Sequence, residues 1–233
     1  MSNKGKLYLI PIPIAEDQPV DKHIPKEVFE AVQHVEVFFV ENIKTARRYL
    51  RKIDRTYPID DKTFYILNKR SKLDEIKPLL KKHKGATFGV VSEAGCPGIA
   101  DPGELLVHAA HELGVRVTPL VGPSSILLAL IASGKNGQQF TFNGYIAKDR
   151  KDRVKEIKRF EQLSRKGVTQ IFMETPFRNN HLLEDLLIEL ENSINLCIAC
   201  DINGQKEFIR TKSVADWKIN PPNINKRPTI FIL

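Results

Sequence analysis

The sequence is poor in cysteine, with three among 233 residues, and it contains one tryptophan and two methionines. So few cysteines cannot form a complete disulfide framework, which is typical of a chain from a reducing compartment. Long apolar runs are also absent, and none approaches the ~20 residues that a membrane-spanning helix requires. The run at residues 7–12 is shorter than the apolar core of a signal peptide. We therefore expect a soluble, cytoplasmic protein without membrane contact.

Two glycine-rich fingerprints of nucleotide-binding enzymes are missing. No G-x-G-x-x-G follows a strand-like run and no G-x-x-x-x-G-K-S/T is present, which excludes the usual dinucleotide and nucleoside triphosphate sites. Cys197 and Cys200 lie in a strand-like run, where residues three apart point to opposite faces, so we interpret both as buried thiols. His108 and His111 have no third ligand nearby, and we expect no metal site.

What is present is ordinary for a globular chain. Hydrophobic residues make up 42% and charged residues 27% of the sequence, which excludes disordered, collagen-like and coiled-coil proteins. The net charge of +8 favours an anionic partner, either nucleic acid or a polycarboxylate ligand. Basic residues concentrate at 69–84 and 148–166. We interpret these runs as solvated helix faces, with a patch for phosphate backbones as the alternative.

In the first half of the sequence, short β-branched or aromatic runs alternate with amphipathic stretches of helical length. Strands separated by helices are typical of βαβ units and a mostly parallel, doubly wound sheet. We predict strands at 7–11, 35–40, 63–67, 86–91 and 115–120, and helices at 26–33, 45–52, 73–82 and 104–113.

The second half changes character. Its last predicted strands are separated by only one short element, which indicates antiparallel pairing. We predict strands at 140–145, 169–173, 195–200, 207–211 and 228–233, and helices at 124–132, 149–163 and 179–190. The sequence thus predicts an α/β protein with a doubly wound domain at 1–120 and a mixed α+β domain at 121–233.

The most unusual stretch is VSEAGCPGIADPG at residues 91–103, which follows an apolar strand and precedes an apolar helix. In an open parallel sheet, ligands bind beyond the carboxyl ends of the strands, where such a loop lies. Its glycines allow the backbone to approach a ligand closely, and a backbone-lined pocket suits an adenosine. The alternative is an elaborate turn in which Asp101 caps the next helix.

An ordered series of motifs covers nearly the whole chain. It consists of LYLIPIP at 7–13, VEN at 40–42, the loop at 91–103, PLVGPSS at 119–125, FTFNGY at 140–145 and FMETPFR at 172–178. In this order the motifs resemble the tetrapyrrole methylase superfamily, and within it the branch of bacterial small-subunit ribosomal RNA 2′-O-methyltransferases I.

The resemblance implies a methyltransferase of two domains that uses S-adenosylmethionine and forms a homodimer, with the cofactor in a cleft between the domains. Because a sulfonium methyl is already activated, such a protein chiefly has to align donor and acceptor. Transferred motif by motif, the residues that the resemblance places at the cofactor are Pro11, Glu93, Ala94, Gly95, Ser124, Ser125, Met173, Glu174, Thr175, Pro228 and Thr229.

The acceptor side departs from the family pattern. The glycine- and asparagine-rich loop of the RNA-methylating branch is replaced by residues 14–19, and its Glu-Asp-Thr-Arg-His-Thr motif by ENIKTA at 41–46. Glu41 is retained, and we consider it the candidate catalytic or substrate-side residue. RNA is the expected acceptor. The alternatives are a tetrapyrrole-like small molecule, which is also anionic, and a cofactor-binding paralogue without catalytic activity.

Overall fold

The computed structural model describes residues 5–15 and 17–233. The chain divides into two compact units, Met1–Ser124 and Ser125–Leu233. None of the helices in these described ranges combines the length and the apolar character needed to cross a membrane.

The first unit is built on a parallel sheet of five strands. The strands are β1 (Lys6–Ile10), β2 (Val37–Val40), β3 (Thr63–Ile66), β4 (Thr87–Val91) and β5 (Arg116–Pro119), in the order β3-β2-β4-β1-β5. The helices are α1 (Val20–His23), α2 (Lys26–Gln33), α3 (Ile43–Ile53), α4 (Leu73–Lys82) and α5 (Gly103–Leu113), with a 3-10 turn at Ile59–Asp61.

Helices cover both faces of this sheet. Helices α2 and α3 pack on one face against Ile10, Phe38 and Val40, and helices α4 and α5 pack on the other against Phe39 and Phe88. All four residues of β2 are buried, because a central parallel strand has a covered face on each side. Gly114 ends α5 in the left-handed conformation at φ 68°, as the glycine-before-strand pattern predicts.

The second unit is built on a mixed sheet of five strands. The strands are β6 (Phe140–Tyr145), β7 (Thr169–Met173), β8 (Asn195–Cys200), β9 (Phe208–Ser213) and β10 (Thr229–Ile232), in the order β6-β7-β10-β8-β9. The β6–β7 pair is parallel and the other pairs are antiparallel, which confirms the predicted late pairing. The helices are α6 (Ser125–Ser133), α7 (Arg150–Arg165), α8 (Asn179–Glu189) and α9 (Val214–Ile219), with a 3-10 turn at Pro176–Arg178.

The two faces of the second sheet carry separate cores. Helices α7, α8 and α9 cover Phe172, Phe231 and Cys200, whereas α6 covers Ile171 and Cys197 on the opposite face. Both thiols are fully buried and free, so the prediction of buried thiols on opposite faces is confirmed. Trp217 donates its indole N–H to the carbonyl of Leu196 at 2.8 Å, which satisfies its polar edge within the core.

Part of the basic run at 148–166 has a structural role that its composition did not indicate. Arg150 and Arg153 of α7 donate to the two carboxylate oxygens of Asp185 on α8, at 3.0 and 2.7 Å. The Arg153 side chain is 12% exposed, so the interpretation of this run as a solvated face is wrong for Arg153. Its guanidinium links α7 to α8, because the buried carboxylate of Asp185 needs a charged partner.

Candidate functional site

The candidate site begins at a switch point of the first sheet. From β1 the chain crosses past β4 to reach β2, and from β4 it crosses past β1 to reach β5, in the opposite direction. In doubly wound sheets, ligands bind beyond the carboxyl ends of two strands related in this way. The Ile12 N–H donates to the carbonyl of Gly95 at 2.9 Å, so the segments that follow β1 and β4 are joined there. Pro11 and the Glu93–Ala94–Gly95 segment are therefore neighbours.

Carboxylates gather at the same edge of the sheet. Glu41 directly follows β2, the neighbour of β4, and accepts a hydrogen bond from the N–H of Glu93 at 3.2 Å. The Glu93 carboxylate in turn accepts from the Thr45 hydroxyl at 3.5 Å. Asn42 begins α3 by accepting from the N–H groups of Lys44 and Thr45. This cap fixes the direction in which the chain leaves Glu41.

The surroundings of Glu41 make it a stronger base than an ordinary glutamate. Burial raises its pKa, the N–H of Glu93 lowers it less, and the negative charges of Asp101 and Glu93 add to the rise. Burial also raises the pKa of Asp101, although its carboxylate accepts from the N–H groups of Gly98 and Gly103 at 2.9 and 2.7 Å. Asp101 thus joins the Gly98 end of the loop to the start of α5.

A backbone cradle lies beside these carboxylates. Tyr49 of α3 donates its hydroxyl to the carbonyl of Pro11 at 2.7 Å. Gly122, after β5, approaches Pro11 so closely that an added Cβ would lie 2.1 Å from the Pro11 Cβ. Gly95 has φ +67°, and an added Cβ would lie 3.1 Å from the carbonyl oxygen of Pro123. Ser124, which follows Pro123, is the last residue of this unit, and Ser125 opens α6.

The remaining residues of the motif set share one edge of the second sheet. Met173, Glu174 and Thr175 end or follow β7, and Pro228 and Thr229 stand at the start of β10. Because β7 and β10 are antiparallel, with Ile230 paired to Met173, the end of one strand lies beside the start of the other. The structure therefore brings these five residues together, in the second unit.

The Glu174 carboxylate is already engaged. Its side chain is 1% exposed and receives two hydrogen bonds of 2.5 Å from the Arg178 guanidinium, with a third from the Thr175 N–H. Burial acts to raise its pKa, but the bonds from Arg178 and Thr175 outweigh it, so the pKa of Glu174 is lowered. A carboxylate held in this way stays ionised and fixes the loop after β7.

A pocket of about 150 Å³ opens next to the switch point. It is lined by residues of the loop after β1, by one face of α3 and by Glu93. Glu16 of this loop lies outside the described residues. The sequence did not point to the lining residues Gln18, Arg48 and Tyr49, since their proximity depends on the packing of α3 against the β1 loop. The only available signal was the helical spacing of Arg48 and Tyr49 with Lys52.

The parallel sheet and the loop at its switch point lie within a stretch that matches a family of methylases. The family model for Tetrapyrrole (Corrin/Porphyrin) Methylases matches residues 6–207. The chain belongs to this family, which confirms the resemblance carried by the sequence motifs.

Curated relatives narrow the class. Ribosomal RNA small subunit methyltransferase I of Vibrio cholerae is 29% identical over 234 residues, which cover 97% of this chain and 76% of that protein. The protein of the same name from Bacillus subtilis is 30% identical over 212 residues, covering 90% and 68%. The family match and these relatives together show that the chain is a methyltransferase, as the motifs implied.

Solved structures support the fold alone. Diphthine synthase superposes with a TM-score of 0.66 at 16% identity, covering 98% of this chain and 89% of that one. The methyltransferase CobJ superposes with a TM-score of 0.63 at 18% identity, covering 98% and 93%. The predicted fold class, a parallel α/β sheet followed by a mixed sheet in a tetrapyrrole-methylase fold, is confirmed.

Proposed function

We propose that this chain transfers a methyl group from S-adenosylmethionine to a ribose 2′-hydroxyl of small-subunit ribosomal RNA. The observation that carries this proposal is Glu41, a carboxylate with a raised pKa, beside the backbone cradle at the switch point of the first sheet. The names of the relatives and the net charge of +8 support RNA as the acceptor.

The residues at the switch point fit the proposed cofactor. Main-chain groups of Pro11, Glu93, Ala94 and Gly95 would meet an adenosine, and a side chain at position 95 would fill the space beside Pro123. When bound, S-adenosylmethionine supplies a methyl group activated by its sulfonium. Contacts of the cofactor with Ser124, Ser125, Met173, Glu174, Thr175, Pro228 and Thr229 stay predictions from the resemblance.

The acceptor hydroxyl must lose a proton as its new O–C bond forms, and Glu41 is the group that would accept this proton. General bases contribute ~10²–10⁴-fold to rates, and they work best when their pKa is tuned towards the working pH. The burial of Glu41 and the negative charges beside it shift its pKa in that direction. The N–H of Glu93 fixes the carboxylate in position.

As part of the same proposal, the chain acts in the cytoplasm as a homodimer.

Transfer of labelled methyl groups tests this function. The full chain is incubated with tritiated S-adenosylmethionine and, separately, with small ribosomal subunits from a strain lacking methyltransferase I, naked ribosomal RNA and uroporphyrinogen. We expect label in the small-subunit RNA, recovered after alkaline hydrolysis in an alkali-resistant dinucleotide, because a 2′-O-methyl group blocks cleavage. Label found only in the tetrapyrrole would show that a tetrapyrrole, and not RNA, is the acceptor. No transfer to any of them, with the cofactor bound, would indicate a non-catalytic paralogue.

A further inference from the structure

The pocket beside the switch point contains a buried amide donor without a partner. Gln18 lines the pocket and is 5% exposed, and its Nε2 makes no hydrogen bond within the part of the chain that the structure describes. Its Oε1 accepts from the N–H of Ala15 at 3.2 Å, which assigns the other end of the amide as the NH2 group. An unsatisfied buried donor is costly, so a ligand that brings an acceptor to Gln18 would be favoured.

Cationic side chains line the same pocket. Helix α3 presents Thr45, Arg48, Tyr49 and Lys52 to the pocket, at the spacing of three and four residues that places side chains on one helix face. Arg48 forms no ion pair with any described residue, whereas its neighbour Arg47 is paired with Asp60. The pocket also contains the Glu93 carboxylate, which accepts from the Thr45 hydroxyl. The side chains of Arg48, Lys52, Gln18 and Glu93 therefore line the same pocket.

We infer that this pocket binds a phosphate group of the RNA acceptor, next to the nucleotide that is methylated. The inference rests on the proposed function for its RNA source, and on Gln18 and Arg48 for its chemistry. A guanidinium binds phosphate oxygens through two parallel N–H bonds, and a carboxamide NH2 adds a neutral donor. The pocket shares Glu93 with the switch-point site, so a phosphate held there positions the neighbouring ribose at that site.

Two variants test the phosphate site in the full chain. Arg48→Ala removes the guanidinium. Gln18→Glu keeps the acceptor for Ala15 but replaces the donor with a negative charge. Arg116→Ala, at the amino end of β5, is the control because it removes one exposed guanidinium at the end of the sheet opposite the switch point. Thermal unfolding of all three variants checks that the fold is kept.

Methylation kinetics on small ribosomal subunits give the first result. We expect KM to rise about tenfold in Arg48→Ala and Gln18→Glu, with kcat within about twofold, because a phosphate contact acts in the ground state and the transition state alike. In Arg48→Ala, the slope of log affinity for RNA against log salt should become shallower by ~0.7–0.9. The same KM and slope in Arg48→Ala as in Arg116→Ala would overturn the inference while leaving RNA methylation intact.

Inorganic phosphate gives a result that does not depend on RNA. In ¹⁵N-labelled protein, titration with phosphate should shift the side-chain NH2 resonances of Gln18, and Arg48→Ala should abolish the shift. If phosphate shifts these resonances but the chain does not methylate RNA, the anion site is supported and RNA is rejected as the acceptor. Absence of any shift in the wild-type chain would reject the site.

Discussion

Replacing Glu41 with glutamine is expected to lower kcat for RNA methylation by ~10²–10⁴-fold, the usual contribution of a general base. Glutamine keeps the oxygen that accepts from the N–H of Glu93, so the loop after β4 should stay in place. The affinity for S-adenosylmethionine, measured by calorimetry, should therefore remain within about twofold of the wild type. The variant separates proton transfer from cofactor binding.

The acid side of the pH profile provides a second readout. Glu41 accepts a proton only when ionised, and its pKa is raised, so wild-type kcat should fall as the pH decreases through that raised pKa. The acid limb should disappear in Glu41→Gln.

Glu36 supplies the matched control for Glu41. It precedes β2 as Glu41 follows it, and it accepts from the N–H of Thr87 at 3.0 Å, at the other end of β4. Glu36→Gln therefore makes the same chemical change at a similar bond away from the switch point, and we expect it to keep wild-type kcat. Equal activity in both variants would remove Glu41 from the chemistry.

Replacing Gly95 with valine is expected to weaken cofactor binding ~100-fold, which corresponds to ~2.7 kcal/mol. The residue has φ +67°, a conformation that costs a residue with a Cβ about 1–2 kcal/mol, and the new side chain would press on the carbonyl of Pro123. The backbone bond from Ile12 to Gly95 would be disturbed as a result. Titration calorimetry with S-adenosylmethionine and with S-adenosylhomocysteine measures the loss.

The variant Gly167→Val separates the loss of cofactor binding in Gly95→Val from a general loss of stability. Gly167 also has a positive φ, of +85°, but no atom lies within 4 Å of an added Cβ. Its variant should therefore carry a similar backbone strain while binding the cofactor normally. Wild-type affinity in Gly95→Val would show that the loop at 91–103 is only a turn.

Much of the fold could be predicted because its signals are local. The apolar run of β2 and the β-branched and aromatic strands around it are readable since each lies between helices of clear amphipathic spacing. The short helix α1 and the turn at Ile59–Asp61 were not predicted, because a single turn is too short to show a period. The strand order was also beyond reach, since the position of β4 between β1 and β2 is decided by long-range packing.

Part of the candidate site could be predicted from the sequence, and part could not. The loop at 91–103 is recognisable because its glycines and prolines directly follow an apolar strand. The contact between Glu41 and the N–H of Glu93 could not be predicted, since it requires β2 and β4 to be neighbours. Tyr49 and Gln18 were missed for a similar reason, because each acquires its role through the packing of α3 against the β1 loop.

Hydrogen–deuterium exchange tests most directly whether the switch-point loops hold the methyl donor. The full chain is compared with and without saturating S-adenosylhomocysteine. We predict that backbone exchange slows at least ~tenfold in peptides covering residues 92–98 and residue 12, because ligand binding stabilises the closed state of the amides that it contacts. Peptides covering 69–84 should be unchanged. Unchanged exchange at 92–98, with slowing confined to other segments, would contradict the assignment of this site.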